Sequence, residues 1–292
     1  FMKEKWPNTK VILSGSSMSR LFRDDQRVPV GRVMSLKLNP LSFYEFLGAL
    51  QQAPLREVID KATEQIDISP LLHEKMLQHF DSYLNVGGLP EVVLQFAAHR
   101  DFAALRRSIL LLQQEDFVRK TSFEDQSLFI DALRGVANHL GSPAKFTHIA
   151  ASSREAKKIV TVMQAWHLIE ELEQKGSNST SVFLPKRYCY DIGIAQQVRN
   201  MPWPSLSILN SIDPALRTQL GGLFENAVYL SLTNYQMNQI DLSGWKESSQ
   251  NQSEVDFIWR DSTAIPIECK ATLKVTSRHF ANLKRYLLKV GG

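Results

Sequence analysis

The sequence predicts a multidomain α/β protein. Two observations carry this reading. Strand-like and helix-like runs alternate over residues 10–50 and again over 214–292, the pattern of sheets covered by helices. The stretch between them, by contrast, reads as helices alone over 51–125 and as three helical segments followed by a strand pair over 126–200. At 292 residues the chain has room for two or three domains of ordinary size.

Each element has a local reason. "KVILSG" and "RVMSLKL" are short apolar strands, alternating with the helices "SSMSRLFRDD" and "LSFYEFLGAL", the latter entered after Pro40. In the helical stretch, "HEKMLQHFDSYLNVGGLPEVVLQFAA" is broken at Gly87, Gly88 and Pro90. Next, "FIDALRGVANHL" makes an amphipathic helix closed by Gly141 and Pro143, and "FTHIAASS" a short second one. "SREAKKIVTVMQAWHLIEELEQ" reads as a long third helix. Ser152 and Glu155 stand at capping-box spacing, and Ile159, Val162, Met163, Trp166 and Ile169 fall on one face. "SVFLPKRYCYDIGIAQ" then supplies a β wing. This order is that of a winged helix-turn-helix, with Arg154, Lys157 and Lys158 at the start of the helix that enters the major groove in such modules. A solvated basic face in a packing unit gives the same pattern. "KGSNSTS" and "MPWPSLS" punctuate the second half as loops, the latter a linker.

Composition narrows the classes. Hydrophobic residues at 43% and charged residues at 22% describe a globular chain. A net charge of +4 and a pI near 9.0 are compatible with nucleic acid without requiring it. Cys189 and Cys269 both sit in apolar strand-like runs and read as reduced core thiols of a cytoplasmic protein, not as a disulfide or zinc framework. No apolar run approaches the roughly 18 residues of a membrane span. The seven histidines show none of the pairings that bind zinc.

Residues 253–270, "SEVDFIWRDSTAIPIECK", place charge where a core strand is expected. By the two-residue period of a strand, Val255, Phe257 and Trp259 share one face and Glu254 and Asp256 the other. In the second run Ile265, Ile267 and Cys269 share a face, opposite Glu268 and Lys270. A hairpin through "RDST" would bring Asp256, Glu268 and Lys270 together, and Glu225 in "GGLFENAVYLSL" belongs near the core edge. Such a set suits Mg²⁺ and phosphodiester hydrolysis. Glu225, Asp256 and Glu268 would be oxygen ligands, the metal would activate water, and Lys270 would stabilise developing charge. The bland alternative is a salt-bridged cluster through Lys270. His279, Lys284 and Tyr286 follow on the next helix, where the restriction-endonuclease-like fold that this stretch resembles would add accessory phosphate contacts.

With Asp256 and "IECK" in place, residues 214–292 resemble the restriction-endonuclease-like PD-(D/E)xK domain. The combination "LFENAVYLSL … SEVDFIW … IPIECK" resembles prokaryotic AAA-type ATPases that carry a C-terminal winged helix and nuclease-like domain. "KVILSGSS" is similar to their sensor-1 strand, and "GRVMSLKLNPLSFYEFL" and "YLNVGGLPEVV" to segments that follow it. The resemblance implies four parts: the end of an AAA-type core over 1–50, a helical lid over 51–125, a winged helix-turn-helix over 126–200 and the nuclease-like domain over 214–292. It implies ATP as a cofactor of the intact protein, with Ser14, Ser16 and Arg32 sensing the nucleotide, DNA as the partner and a possible homo-oligomer. This chain has no Gly-Lys dipeptide and so no phosphate loop. The expectation is that the loop lies in a longer chain and that these 292 residues do not hydrolyse ATP. The function expected is a DNA-binding winged helix with a Mg²⁺-dependent nuclease domain. Its alternative is an ATP-regulated DNA- or protein-binding module whose nuclease-like domain is silent.

Overall fold

The computed structural model describes residues 12, 37–61, 68–121, 123, 125–150, 152–176, 183–201, 205–206, 214–235, 241–248, 253–272 and 274–290. The chain divides into two compact units, residues 1–36 and 37–292. The positions expected to sense nucleotide, Ser14, Ser16 and Arg32, lie outside the described residues, as do most residues of the first two strands expected from the sequence. The second unit is mixed α/β, with ten α-helices and two small sheets among the described residues.

Helix α1 (Phe43–Ala49) starts at Ser42, whose hydroxyl accepts the Glu45 N–H while the Glu45 carboxylate accepts the Ser42 N–H, two end groups satisfied reciprocally. Helix α2 (Ala53–Asp60) follows. Helix α3 (Pro70–Val86) has its proline in the first turn, where the missing N–H costs nothing. It breaks at Gly87 and Gly88 before α4 (Pro90–Ala97), as the sequence predicts. Helix α5 (Phe102–Lys120) is capped by Asp101.

Helix α6 (Ser127–Asn138) leads to a single 3₁₀ turn at Phe146–His148, where a short second helix was expected, and then to α7 (Ser153–Ala165). The α7 expected to continue through Gln174 stops at Ala165. His167 takes φ 57°, and the chain re-emerges as β1 (Ile169–Leu172) and β2 (Gln174–Gly176). Ile169 and Leu172 are spaced for a helix face, but both are buried as strand residues: tertiary pairing overrides a period that fits both structures. Strand β3 (Lys186–Cys189) pairs antiparallel with β1. A helix, α8 (Ile192–Arg199), then stands where the sequence suggested more hairpin, because Asp191 accepts the Ile194 N–H and starts it.

The C-terminal part comprises α9 (Pro214–Tyr235), β4 (Asp241–Lys246), β5 (Glu254–Arg260), β6 (Ala264–Ile267), a 3₁₀ turn and α10 (Ala281–Val290). Strand β4 was not anticipated. The sheet order is β2–β4–β5–β6, with β2 parallel to β4 and the remaining neighbours antiparallel. The predicted β5–β6 hairpin forms in the register Phe257 opposite Ile267 and Trp259 opposite Ile265. One buried cluster runs from Phe46 and Tyr83 through Phe129, Ile159 and Tyr188 to Leu223 and Phe257. A second, smaller one joins Trp245, Val255 and Ile258 to Tyr286 of α10.

Candidate functional site

Strand β3 lies between β1 and α9, and its side chains alternate. Lys186 and Tyr188 face the C-terminal carboxylates, while Arg187 faces the other way. Arg187 donates to Glu171 Oε1 at 2.6 Å and to the Ala144 carbonyl at 2.8 Å. On the edge of β3 away from β1, where Pro143 bridges to Lys186, the Asn226 side chain acts as a substitute strand: its oxygen accepts the Cys189 N–H at 2.8 Å and its amide donates to the Cys189 carbonyl at 3.1 Å. One turn further along α9, the Tyr229 ring stacks on Tyr188 at 4.3 Å.

The centre of the arrangement is the Lys186 ammonium, which is 0% exposed. It donates to Asp256 Oδ1 at 2.9 Å and to Glu225 Oε1 at 3.0 Å, with Glu254 at 3.6 Å. The Tyr188 hydroxyl donates to the same Glu225 oxygen at 2.6 Å. The other Asp256 oxygen accepts the Cys269 N–H at 2.8 Å. Gly141, at φ 73°, passes so close that a Cβ there would lie 2.6 Å from Glu225 Oε2; glycine alone satisfies both the backbone and the space.

Charge and burial oppose each other here. Burial works to discharge Lys186, but Glu225, Asp256 and Glu254 outweigh it and raise its pKa, so the ammonium is retained. Burial pushes the Glu225 carboxyl up to about 7, against the pull of Lys186 and with help from Asp256. Burial also raises Tyr188 and Cys269, so both remain protonated near neutral pH.

The predicted residues are thus partly assembled. Glu225 and Asp256, each 6% exposed, meet on Lys186. Strand β6 ends at Ile267, and beyond it Lys270 pairs with Glu268 Oε1. Burial and Asp256 raise the Glu268 pKa, and its Oε2 is buried with no hydrogen-bond donor among the described residues. Tyr286 is not the phosphate contact expected. It is 1% exposed and sits edge-on to Trp245, so it belongs to the core. The His279 ring accepts the Thr276 N–H and helps cap a 3₁₀ turn, and Lys284 is exposed. Arg154, Lys157 and Lys158 stand exposed on the first turns of α7, whose opposite face buries Ala156, Ile159, Val160 and Met163.

Sequence reasoning missed Lys186, Tyr188, Asn226 and Glu254. The signal for Lys186 was available: a lysine heading the run "KRYCY", whose aromatic and thiol residues read as core, is the same anomaly that singled out Asp256. In the arrangement described the carboxylates do not fit a divalent cation. The inner oxygens of Glu225 and Asp256 are taken by Lys186, and among the described residues no group of three or more His, Cys, Asp or Glu side chains is set to hold a metal ion.

Two family models match separate segments of the chain. Residues 77–205 match a family described as "Domain of unknown function (DUF8612)". Residues 220–291 match "Domain of unknown function (DUF4143)", a domain often found with AAA-type ATPases. An uncharacterized protein of Haemophilus influenzae is 23% identical over 168 residues, which cover 56% of this chain and 37% of that protein. The chain thus aligns with little more than a third of that relative's length. No solved structure matches significantly. The chain is similar, in its C-terminal quarter, to a domain that accompanies AAA-type ATPases.

Proposed function

We propose that this chain is a DNA-binding module of an AAA-type ATPase-family protein, in which the nuclease-like part is catalytically silent and holds the DNA-contacting part in place. The observation that carries the silent reading is the position of Lys186. An ammonium bonded to both Asp256 and Glu225 withdraws the two carboxylates that metal-assisted hydrolysis needs. Arg154, Lys157 and Lys158 support the DNA-contacting role: all three are exposed on the leading turns of α7, as phosphate-contacting cations are.

Fluorescence anisotropy with a labelled duplex tests the binding half. Replacing Arg154, Lys157 and Lys158 together by alanine is expected to weaken binding uniformly across sequences. It should also reduce the slope of log K against log salt by about 0.9 per lost phosphate contact. An unchanged slope would remove α7 from the interface. Plasmid incubated with Mg²⁺ or Mn²⁺ tests the silent half, and the expected result is no cleavage.

One observation favours a second reading, that of a Mg²⁺-dependent nuclease. The buried Glu268 Oε2 lacks a donor among the described residues, which is how a metal ligand without its metal presents itself. Plasmid nicking by the wild type, lost in Asp256→Asn, would establish that reading.

A further inference from the structure

We infer that the outer face of α5 is a homodimer surface, on which a second copy of this chain docks its own α5 antiparallel, about a two-fold axis passing between Leu111 and Leu112. The inference stands apart from the DNA-binding reading and does not depend on it.

The face is apolar at its centre. Helix α5 buries Arg106, Leu110 and Phe117 and turns Leu111 and Leu112 outward, 57% and 62% exposed. Arg107, Ser108 and Glu115 are exposed on the same side. At about 100° per residue, Ser108 and Glu115 run along the middle of that side, with Leu111 and Leu112 flanking the line. Leu111 is also the midpoint of the helix, which spans Phe102–Lys120. An antiparallel copy centred there overlaps α5 along nearly its whole length.

The charges on the face choose the partner. Arg107 has no acid partner among the described residues, and Glu115 has no basic one. The cations one turn beyond Glu115 are already engaged, because Asp116 takes both Arg119 and Lys120. An arginine four residues before Leu111 and a glutamate four residues after it make a self-complementary pattern. In the antiparallel copy Glu115 comes level with Arg107 to within one residue rise, about 1.5 Å, and the two-fold repeats the pair at the other end. The four leucines meet at the axis. Ser108 lies opposite Glu115 of the second copy and is small enough to let the helices approach. A parallel copy would set Arg107 against Arg107 and Glu115 against Glu115, which like charge opposes. An unrelated partner would need this spacing of leucines and charges by coincidence, whereas a second copy carries it necessarily.

Sedimentation of the full chain over a range of concentrations tests this. A weak monomer–dimer equilibrium is expected, since one helix pair lies at the small end of specific interfaces. Arg107→Glu alone and Glu115→Arg alone should each dimerise at least about tenfold less well, because both pairs become like-charged. Mixed one to one, the two variants should dimerise again, each contact now opposing a glutamate to an arginine. Leu111→Ser combined with Leu112→Ser should give a monomer with the far-UV circular dichroism of the wild type. The inference is overturned if the wild type stays monomeric at every concentration, which would leave the face to a different protein. It is equally overturned if the wild-type dimer survives loss of the two leucines, or if the mixed charge variants associate no better than either alone.

Discussion

A buried ammonium loses several kcal/mol of solvation, so Lys186 can be fully enclosed only because two carboxylates accept hydrogen bonds from it and a third stands nearby. Removing one partner of such a set leaves uncompensated buried charge. Lys186→Met is therefore expected to lower the unfolding free energy by about 3–5 kcal/mol in urea titrations without added metal; a loss below about 1 kcal/mol would show that the carboxylates simply take up protons instead. Glu225 makes a different prediction. Its carboxyl titrates near 4.5 in the unfolded chain and about 7 when folded. Between those values the folded state holds the extra proton, so this group's contribution falls as pH rises through the window. The size is on the order of 3 kcal/mol. Glu225→Gln should flatten that slope in urea titrations at about pH 5 and about pH 8, and identical slopes in the two proteins would contradict the assignment. Asp256 and Glu225 were legible in the sequence because an acid inside an apolar run demands a partner. Lys186 carried the same signal. It went unread because a search for metal chemistry collects acids and passes over the base that can replace the metal.

Elements behave as their ends dictate. The α3–α4 break was readable from Gly87, Gly88 and Pro90, and the structure shows what the second glycine is for. A Cβ on Gly88 would stand 2.1 Å from the Leu41 carbonyl oxygen, and the Gly88 N–H donates to the buried Asp191 at 2.7 Å. Gly88→Ala must push two backbone segments apart. It is expected to cost about 3 kcal/mol or more, seen as a lower melting temperature; a variant as stable as the wild type would show that Leu41 yields freely. The end of α7 was not legible. Trp166 and Ile169 continue a helical period, and only the pairing of Ile169 with Cys189 across β1 and β3 decides for the strand. Strand β4 was missed for a related reason. "DLSGWK" has a glycine at its centre, which weakens any strand signal, and here Gly244 makes room for the Gln174 side chain where the β4–β5 register shifts.

The whole second unit should unfold as one body. Its larger core is continuous from α1 to β5, and β2, reached directly from α7 and β1, is a strand of the C-terminal sheet. Calorimetry of the full chain is expected to show one transition for residues 37–292, with calorimetric and van't Hoff enthalpies equal for it. Amides of β3 and β5 should then exchange through the same global opening. Two transitions separated by more than a few degrees would show the C-terminal part melting by itself. The four-part division read from the sequence follows changes in local pattern. It could not reveal that sheet and core cross those divisions, because a strand of three residues such as β2 leaves almost no periodic trace.

The seating of Lys186 also bears on how such chains can be recombined. The base lies in the segment matched by one family description and its acids in the segment matched by another. A chimaera that joins the first segment of this chain to the second of a relative will inherit the centre only if both parents agree on it. Where a relative has a neutral residue at the position of Lys186, neutral residues are to be expected at the positions of Glu225 or Asp256 as well. The two segments are free to differ almost everywhere else, and at this point they have to change together.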